Sequence, residues 1–302
     1  MRKQSIGVLL ILVLAPALLF ASEGKFDKTL SVSGSVNLDL TTGSGDVTVR
    51  TGSSNQVIIH GRVRSGNDWW GGGSESAVRS VESNPPIEQN GNTIRIGYNL
   101  PEDVKRHVSI SYEVTVPPDT ALQGHTGSGS IGVEGLRRSV EVTSGSGDVR
   151  LRDVGPQSNA HTGSGSIKAQ DAAAPFTAKT GSGNIEADLT GSGDVEVQTG
   201  SGSVRLRGVN GGLHARTGSG DIGVDGNAKS AWSLHTGSGT VRMALGSSQG
   251  FNLYAHTGSG SVHSELPITM QGTLNRHELK GSVRGGGPEV EVSTGSGDID
   301  IR

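Results

Sequence analysis

Cysteine is absent from this chain, and aromatic residues make up only 3% of it. Without cysteine there is no disulfide, no thiolate metal site and no attachment point for a lipid behind a leader. With so few aromatic side chains, an ordinary globular core has little large material to bury. An excess of basic charge is also missing. The 26 Lys and Arg residues against 29 Asp and Glu give a formal charge of −3, which leaves no electrostatic footprint for nucleic acid. Beyond the first 22 residues no apolar run is long enough to span a bilayer.

Glycine is what the chain has in excess, at 49 of 302 residues. The glycines do not fall on every third position, which excludes collagen. Val, Ile and Leu recur throughout, which excludes a disordered chain. At the start, Arg2 and Lys3 precede an apolar run from Ile6 to Leu19, followed by the small residues Ala21 and Ser22. This pattern predicts a secretory signal peptide over residues 1–22, with a retained N-terminal anchor as the lesser alternative. Pro16 argues against a straight membrane helix. Loss of Arg2 and Lys3 takes the formal charge from −3 to −5. The expected location is outside the cytoplasm: cell surface, periplasm or medium.

Internal repetition decides the fold expectation. A Thr-Gly-Ser-Gly corner begins at Thr42, Thr126, Thr162, Thr180, Thr190, Thr199, Thr217, Thr236, Thr257 and Thr294, with a serine variant at Ser144. The step from Thr126 through Ser144 and Thr162 to Thr180 is 18 residues. It lengthens toward Thr257, and the extra copy at Thr190 divides one coil in two. Apolar residues alternate on both sides of the corner, as in Leu213-x-Ala215-x-Thr217 before it and Val204-x-Leu206 after it. Period two is the signature of a strand with one buried face. The corner Thr shares the inward phase, so its hydroxyl is expected to bond a neighbouring coil. The corner glycines are expected to turn the chain through positive φ. The residue after each corner is Asp, Asn, Ser or Thr, suited to bonding local backbone. A column of aspartates alone would repel itself at a strand spacing of about 4.8 Å.

These features predict an all-β, single-stranded parallel β-solenoid (β-helix) of roughly 18-residue coils with an irregular N-terminal cap. A first coil and the cap occupy 23–120, and the repeat array with a closing C-terminal coil occupies 121–302. Within the cap, Trp69 and Trp70 read as a loop that either plugs the core or offers an exposed anchor, Glu75–Glu82 as a helix, and Thr93–Tyr98 and Val108–Val116 as strands.

Three segments carry a family resemblance: the strand Tyr-Glu-Val-Thr-Val-Pro at 112–117, the Gly-Ser-Gly coils, and the Gly-Gly-Gly-Pro turn at 285–288 before the last Thr-Gly-Ser-Gly-Asp-Ile. Together they resemble an exported bacterial β-solenoid family labelled candidate adhesins. The resemblance implies a solenoid fold and an adhesive role, and it brings no catalytic residues to carry over.

Several patterns imitate chemistry. Gly127-x-Gly129-x-x-Gly132 and Gly218-x-Gly220-x-x-Gly223 have dinucleotide-binding spacing, but a strand pattern follows where a helix is required. Gly246-x-Ser248-x-Gly250 matches a nucleophile elbow without its strand-turn-helix context. The Gly-x-Gly-Asp repeats lack the nine-residue spacing of calcium-loaded rolls. His125, His161, His235 and His256 each precede a corner Thr; on consecutive coils, His235 and His256 would be close enough to share a metal ion, though no third ligand is evident. Glu186, Asp188, Asp194 and Glu196 crowd around the divided coil and supply the rival enzymatic reading, a glycan-active enzyme with paired carboxylates. The leading expectation is non-catalytic: adhesion or envelope scaffolding through the solenoid faces, toward an envelope, polysaccharide or cell-surface ligand. It involves no catalytic, cofactor-binding or metal residues, no cofactor, no nucleic acid and no transmembrane span in the mature chain.

Overall fold

A computed structural model describes residues 23–52, 55–66, 73–246, 248–270 and 276–302. The predicted signal peptide (1–22), Trp69 and Trp70 lie outside the described residues. The chain is all-β, drawn into one long solenoid-like sheet, with helices at Gly73–Ser83 and Glu102–His107. Each corner joins two strands: a first limb that ends at the corner Thr, such as Ser158–Thr162, and a second limb that follows it, such as Ile167–Ala173. First limbs pair in parallel with first limbs and second limbs with second limbs. Ser144 registers with Thr162, Thr162 with Thr180, and Thr180 with Thr199. On the other side of the coil Val149 registers with Ile167 and Ile167 with Ile185.

Alternation along the limbs places side chains as expected. Phe176, Ala178 and Thr180 are buried while Thr177 and Lys179 are partly exposed. Volume is traded between rungs: Ser158 sits directly beside Phe176, so the ring fills space a larger neighbour would take. Trp232 is buried at 1% exposure, and its indole N–H donates to the Gly211 carbonyl at 2.9 Å.

The corner hydroxyls form a buried ladder. Thr162 donates to the Gly147 carbonyl at 2.8 Å, Thr180 to Gly165 at 2.8 Å and Thr217 to Gly202 at 2.8 Å, each on the preceding coil. The same oxygen also accepts from its own corner: the Gly165 N–H reaches Thr162 Oγ1 at 3.2 Å. One hydroxyl therefore closes the turn and ties two coils together. Thr190 departs from this. It lies at the opposite turn of its coil, is exposed, and is followed by Gly191 at φ +75°. An identical tetrapeptide thus serves two geometrically different turns.

The corner glycines are needed mainly for a reason other than the expected one. A Cβ on Gly165 would stand 2.1 Å from the Gly147 carbonyl oxygen, and Gly165 is not among the positive-φ residues. The glycines let neighbouring corners stack backbone on backbone. Positive φ enters the corner column only toward the C-terminus, for example at Gly220 with φ 152°.

Stacking order differs from chain order at both ends. The coil at 36–51 lies between the rung built from Thr93–Ile96 and Val108–Val116 and the coil at 120–134. At the other end, Glu289–Ser296 pairs with Ile222–Ser238 on one side and Phe251–Ser259 on the other. Ile299–Ile301 likewise sits between Val241–Leu245 and Val262–Ser264. The C-terminal coil therefore does not close the stack. It is one rung in from the end.

Beyond these inserted rungs the pairing turns antiparallel. Gln56–Ser65 pairs with Val108–Val116 and Glu23–Ser31 at one end, and Glu278–Val283 pairs with Phe251–Ser259 and Ile268–Met270 at the other. The helix Gly73–Ser83, expected over 75–82, buries Val78 and Val81 against the N-terminal strands. Nearby, the Phe26 ring meets buried Tyr112 edge-on at 6.3 Å, and burial raises the Tyr112 phenol well above its ordinary value. The six-residue helix Glu102–His107 is too short to leave a helical period in the sequence.

Candidate binding faces

Three outward surfaces follow from this geometry: the corner edge, the first-limb face and the second-limb face. On the corner edge most residues after the corners bond the adjacent coil through their side chains, where local bonding was expected. Asp148 Oδ1 accepts the Ser166 N–H at 2.9 Å, Asn184 Oδ1 accepts from Ser203 at 2.8 Å, and Asp221 Oδ1 accepts from Thr240 at 2.8 Å. At the C-terminal end Asp298 Oδ1 accepts both the N–H and the hydroxyl of Ser261 at 2.9 Å. These bonds hold the Asp298 carboxyl below its ordinary value, the backbone bond contributing most. A carboxyl with a depressed folded pKa stabilises the fold above its unfolded pKa, and that contribution is lost as pH falls through the folded value. Asp298→Ala should therefore melt below the wild type at neutral pH. The two melting curves should converge in acid below the usual aspartate range. Thermal melts over a pH series test this, and a difference that persists into strong acid would contradict it.

On the first-limb face, Asp39, Arg95 and Tyr98 form a cluster near the N-terminal end. The Arg95 guanidinium lies 4.4 Å from the Tyr98 ring centroid, 3.7 Å from Asp39 Oδ2, and the Tyr98 hydroxyl donates to Asp39. Burial, then the bond to Asp39, push the phenol up to about 12. Next to the cluster is a groove of about 270 Å3 lined by amides and carboxylates, among them Asn37, Asp39, Gln123, Glu141 and Asn159.

The histidine column is real in register but interrupted in space. His235 registers with Ser293 and so does His256, because the inserted C-terminal strand separates them. His235 Nδ1 instead lies 2.8 Å from Ser293 Oγ. The expected adjacency of His235 and His256 is therefore corrected. Among the described residues no group of three or more His, Cys, Asp or Glu side chains could hold a metal ion.

The acidic residues around the divided coil are likewise kept apart. Glu186 and Asp188 stand on the second limb Ile185–Thr190, where they face Lys168 at 3.4 Å and Arg207 at 3.4 Å. Glu196 stands on the first limb Val195–Ser201, the other side of the coil, and pairs with Lys179 at 2.6 Å. Asp194 accepts the Gly212 N–H at 3.1 Å. The divided coil thus splits the four carboxylates between its two sides, Glu186 and Asp188 on the second limb and Asp194 and Glu196 at the first.

The second-limb face carries a feature that motif reading passed over. Its outward column runs Thr48, Gly132, Arg150, Lys168, Glu186, Arg205, Gly223 and Arg242 on successive rungs. Gly132 and Gly223 are gaps in this column, and each is the last glycine of a spurious dinucleotide motif. A Cβ on Gly132 would meet nothing within 4 Å, and one on Gly223 only the Val204 carbonyl at 4.0 Å. Each gap floors a groove, of about 750 Å3 at Gly132 and about 250 Å3 at Gly223. Aligning the sequence by corner, residue for residue, would have exposed both gaps.

No curated protein matches the chain. Among solved structures it is similar to a candidate cell adhesion protein from Clostridium sporogenes, at 14% identity and TM-score 0.24 over 93% of this chain and 99% of that one. It is also similar to a candidate adhesin from Bacteroides fragilis, at 11% identity and TM-score 0.37 over 93% and 98% of the two chains. A third, from Parabacteroides distasonis, matches at 11% identity and TM-score 0.37 over 92% and 97%. The Toastrack DUF4097 family pattern matches residues 37–302, from the first inserted coil to the last, and the chain belongs to that family.

Proposed function

We propose that this chain is a non-catalytic adhesion or envelope-scaffold protein, exported behind the leader at 1–22, that binds through the outward faces of a single-stranded parallel β-solenoid with an irregular N-terminal cap. The observation that supports this most is the regularity of the two limb faces. Parallel registers carry the outward columns beside the corners from rung to rung, from 36–51 through to 289–301, with register shifts at 169/172, 206/209 and 211/213. Side chains on such a ladder stand about 4.8 Å apart at fixed heights, a rigid comb suited to an extended ligand. Within that comb the carboxylates of the divided coil are held by cations or backbone N–H groups, which favours a binding role over proton transfer.

Surface display is the part of this reading that one experiment decides. Intact cells making the protein are treated with a protease, with permeabilised cells as control. Cleavage on intact cells is the expected result. Protection until permeabilisation would remove adhesion from the reading and leave an internal envelope scaffold.

A further inference from the structure

We propose that the second-limb face binds a linear anionic polysaccharide, seated across the two glycine-floored grooves at Gly132 and Gly223. This rests on the reading of the limb faces as binding surfaces and adds the class of ligand.

The grooves share a design. The groove at Gly132 is lined by Arg50, Arg150, Arg152 and Lys168 against Asp46 and Glu134. The groove at Gly223 is lined by Arg205, Arg207, Arg242 and Arg302 against Asp225. Counted over the lining side chains the charge is positive in both, and Asp148, Glu186, Asp188, Asp221, Asp300 and Glu265 pair with lining cations from just outside the grooves. Part of the acidic lining is already engaged: Asp46 Oδ1 accepts the Ser130 N–H at 2.8 Å and Glu134 lies 3.8 Å from Arg152. Among the described residues, Arg50 and Arg205 have no ion-pair partner, so each groove keeps one uncommitted guanidinium. A guanidinium grips a carboxylate or sulfate with two parallel N–H donors, and the missing side chain at each glycine leaves room for a sugar ring to lie against the backbone.

Spacing points to a polymer. Gly132 and Gly223 lie five rung spacings apart, roughly 24 Å at the usual strand separation. A chain that occupies one groove is delivered to the other at high effective concentration. Between the grooves stand Glu186 and Asp188. Duplex DNA, with a charge about every 1.7 Å along its axis, would press phosphates onto these carboxylates. A polysaccharide with spaced charges can place neutral ring atoms there. The groove on the opposite face is lined by amides and the carboxylates Asp39 and Glu141, with no Lys or Arg in its lining.

The test measures binding of the purified protein at physiological salt to polygalacturonate, dextran sulfate, uncharged dextran and a DNA duplex. Binding to one or both polyanionic glycans is expected, and which of them binds tells carboxylate from sulfate. The variant Gly132→Leu/Gly223→Leu raises a side chain from the floor of both grooves. Since the added Cβ meets nothing within 4 Å at Gly132 and only the Val204 carbonyl oxygen at 4.0 Å at Gly223, it should melt like the wild type and lose roughly tenfold or more in affinity. Arg50→Glu/Arg205→Glu should lose at least as much, and Arg79→Gln on the helix Gly73–Ser83, away from both limb faces, should change nothing. Binding to uncharged dextran, equal affinity for the duplex, no binding to either polyanion, or full affinity in a natively melting Gly132→Leu/Gly223→Leu protein would each overturn the proposal. The assay is done in solution, so its outcome does not depend on surface display. A displayed protein that ignores both polyanions would lose this ligand class and keep the adhesive reading.

Discussion

Gly165→Ala should destabilise the protein by about 3 kcal/mol or more, an effect large for one methyl group. The added Cβ would stand 2.1 Å from the Gly147 carbonyl oxygen and 2.5 Å from its carbon. Neither atom can withdraw easily. Gly147 O also accepts the Thr162 hydroxyl, and the limbs on both sides are locked in parallel ladders. Relief would require the coils to part, at the expense of hydrogen bonds along both limbs. Gly132→Ala is the matched control, because its Cβ meets nothing within 4 Å. Replacing glycine in a strand there should leave stability unchanged or slightly raised. Thermal melts of the two variants beside the wild type test the contrast. Equal melting temperatures would mean that the corners do not stack at the described separation.

A second large effect is expected from removing the inserted C-terminal coil. A chain ending before Glu289 loses Val290, Val292, Ile299 and Ile301, all at 1% exposure or less. At about 1.5–3 kcal/mol for each buried side chain, the apolar loss alone is roughly 6–12 kcal/mol, an upper bound because unfolded chains are partly compact. The gap also strips ladder partners from Phe251–Ser259 on one side and Ile222–Ser238 on the other. Hydrogen exchange should show residues 251–283 unprotected while the coils from 120 to 219 keep their protection, as repeat arrays with nearest-neighbour stability behave. Retained protection over 251–259 would show that this coil stands without its inserted neighbour.

The regular part of this architecture was legible because it repeats. A period of two around each corner fixed which side chains point inward, and the buried Phe176, Ala178 and Thr180 are where alternation placed them. Stacking order was not legible. The corners at Thr257 and Thr294 have the same sequence, so either fits beside Thr236, and nothing local says which will. The choice is made by the excursion through Ile268–Met270 and Glu278–Val283, whose antiparallel strands cover the outer edge of Phe251–Ser259. The role of the corner glycines was legible only in part, in the positive φ of Gly220, Gly239, Gly260 and Gly297, for a similar reason. A single chain segment suggests a turn, whereas the constraint comes from the carbonyl one coil away. The grooves at Gly132 and Gly223 were hidden by motif matching, which groups residues along the chain when the surface groups them across it.

The two inserted rungs limit how such a molecule can change in length. Between 120 and 245 every coil meets the same surfaces on either side: a glycine carbonyl to receive its corner hydroxyl and a parallel limb on each edge. A duplicated 18-residue unit placed there would find both partners ready. A unit appended after Arg302 would find none, because Ile299–Ile301 already has Val241–Leu245 on one edge and Val262–Ser264 on the other. Descendants of this sequence can therefore gain or lose coils from the middle while passing on both ends as fixed pieces, so the length of the solenoid-like sheet is free to vary and its terminations are not.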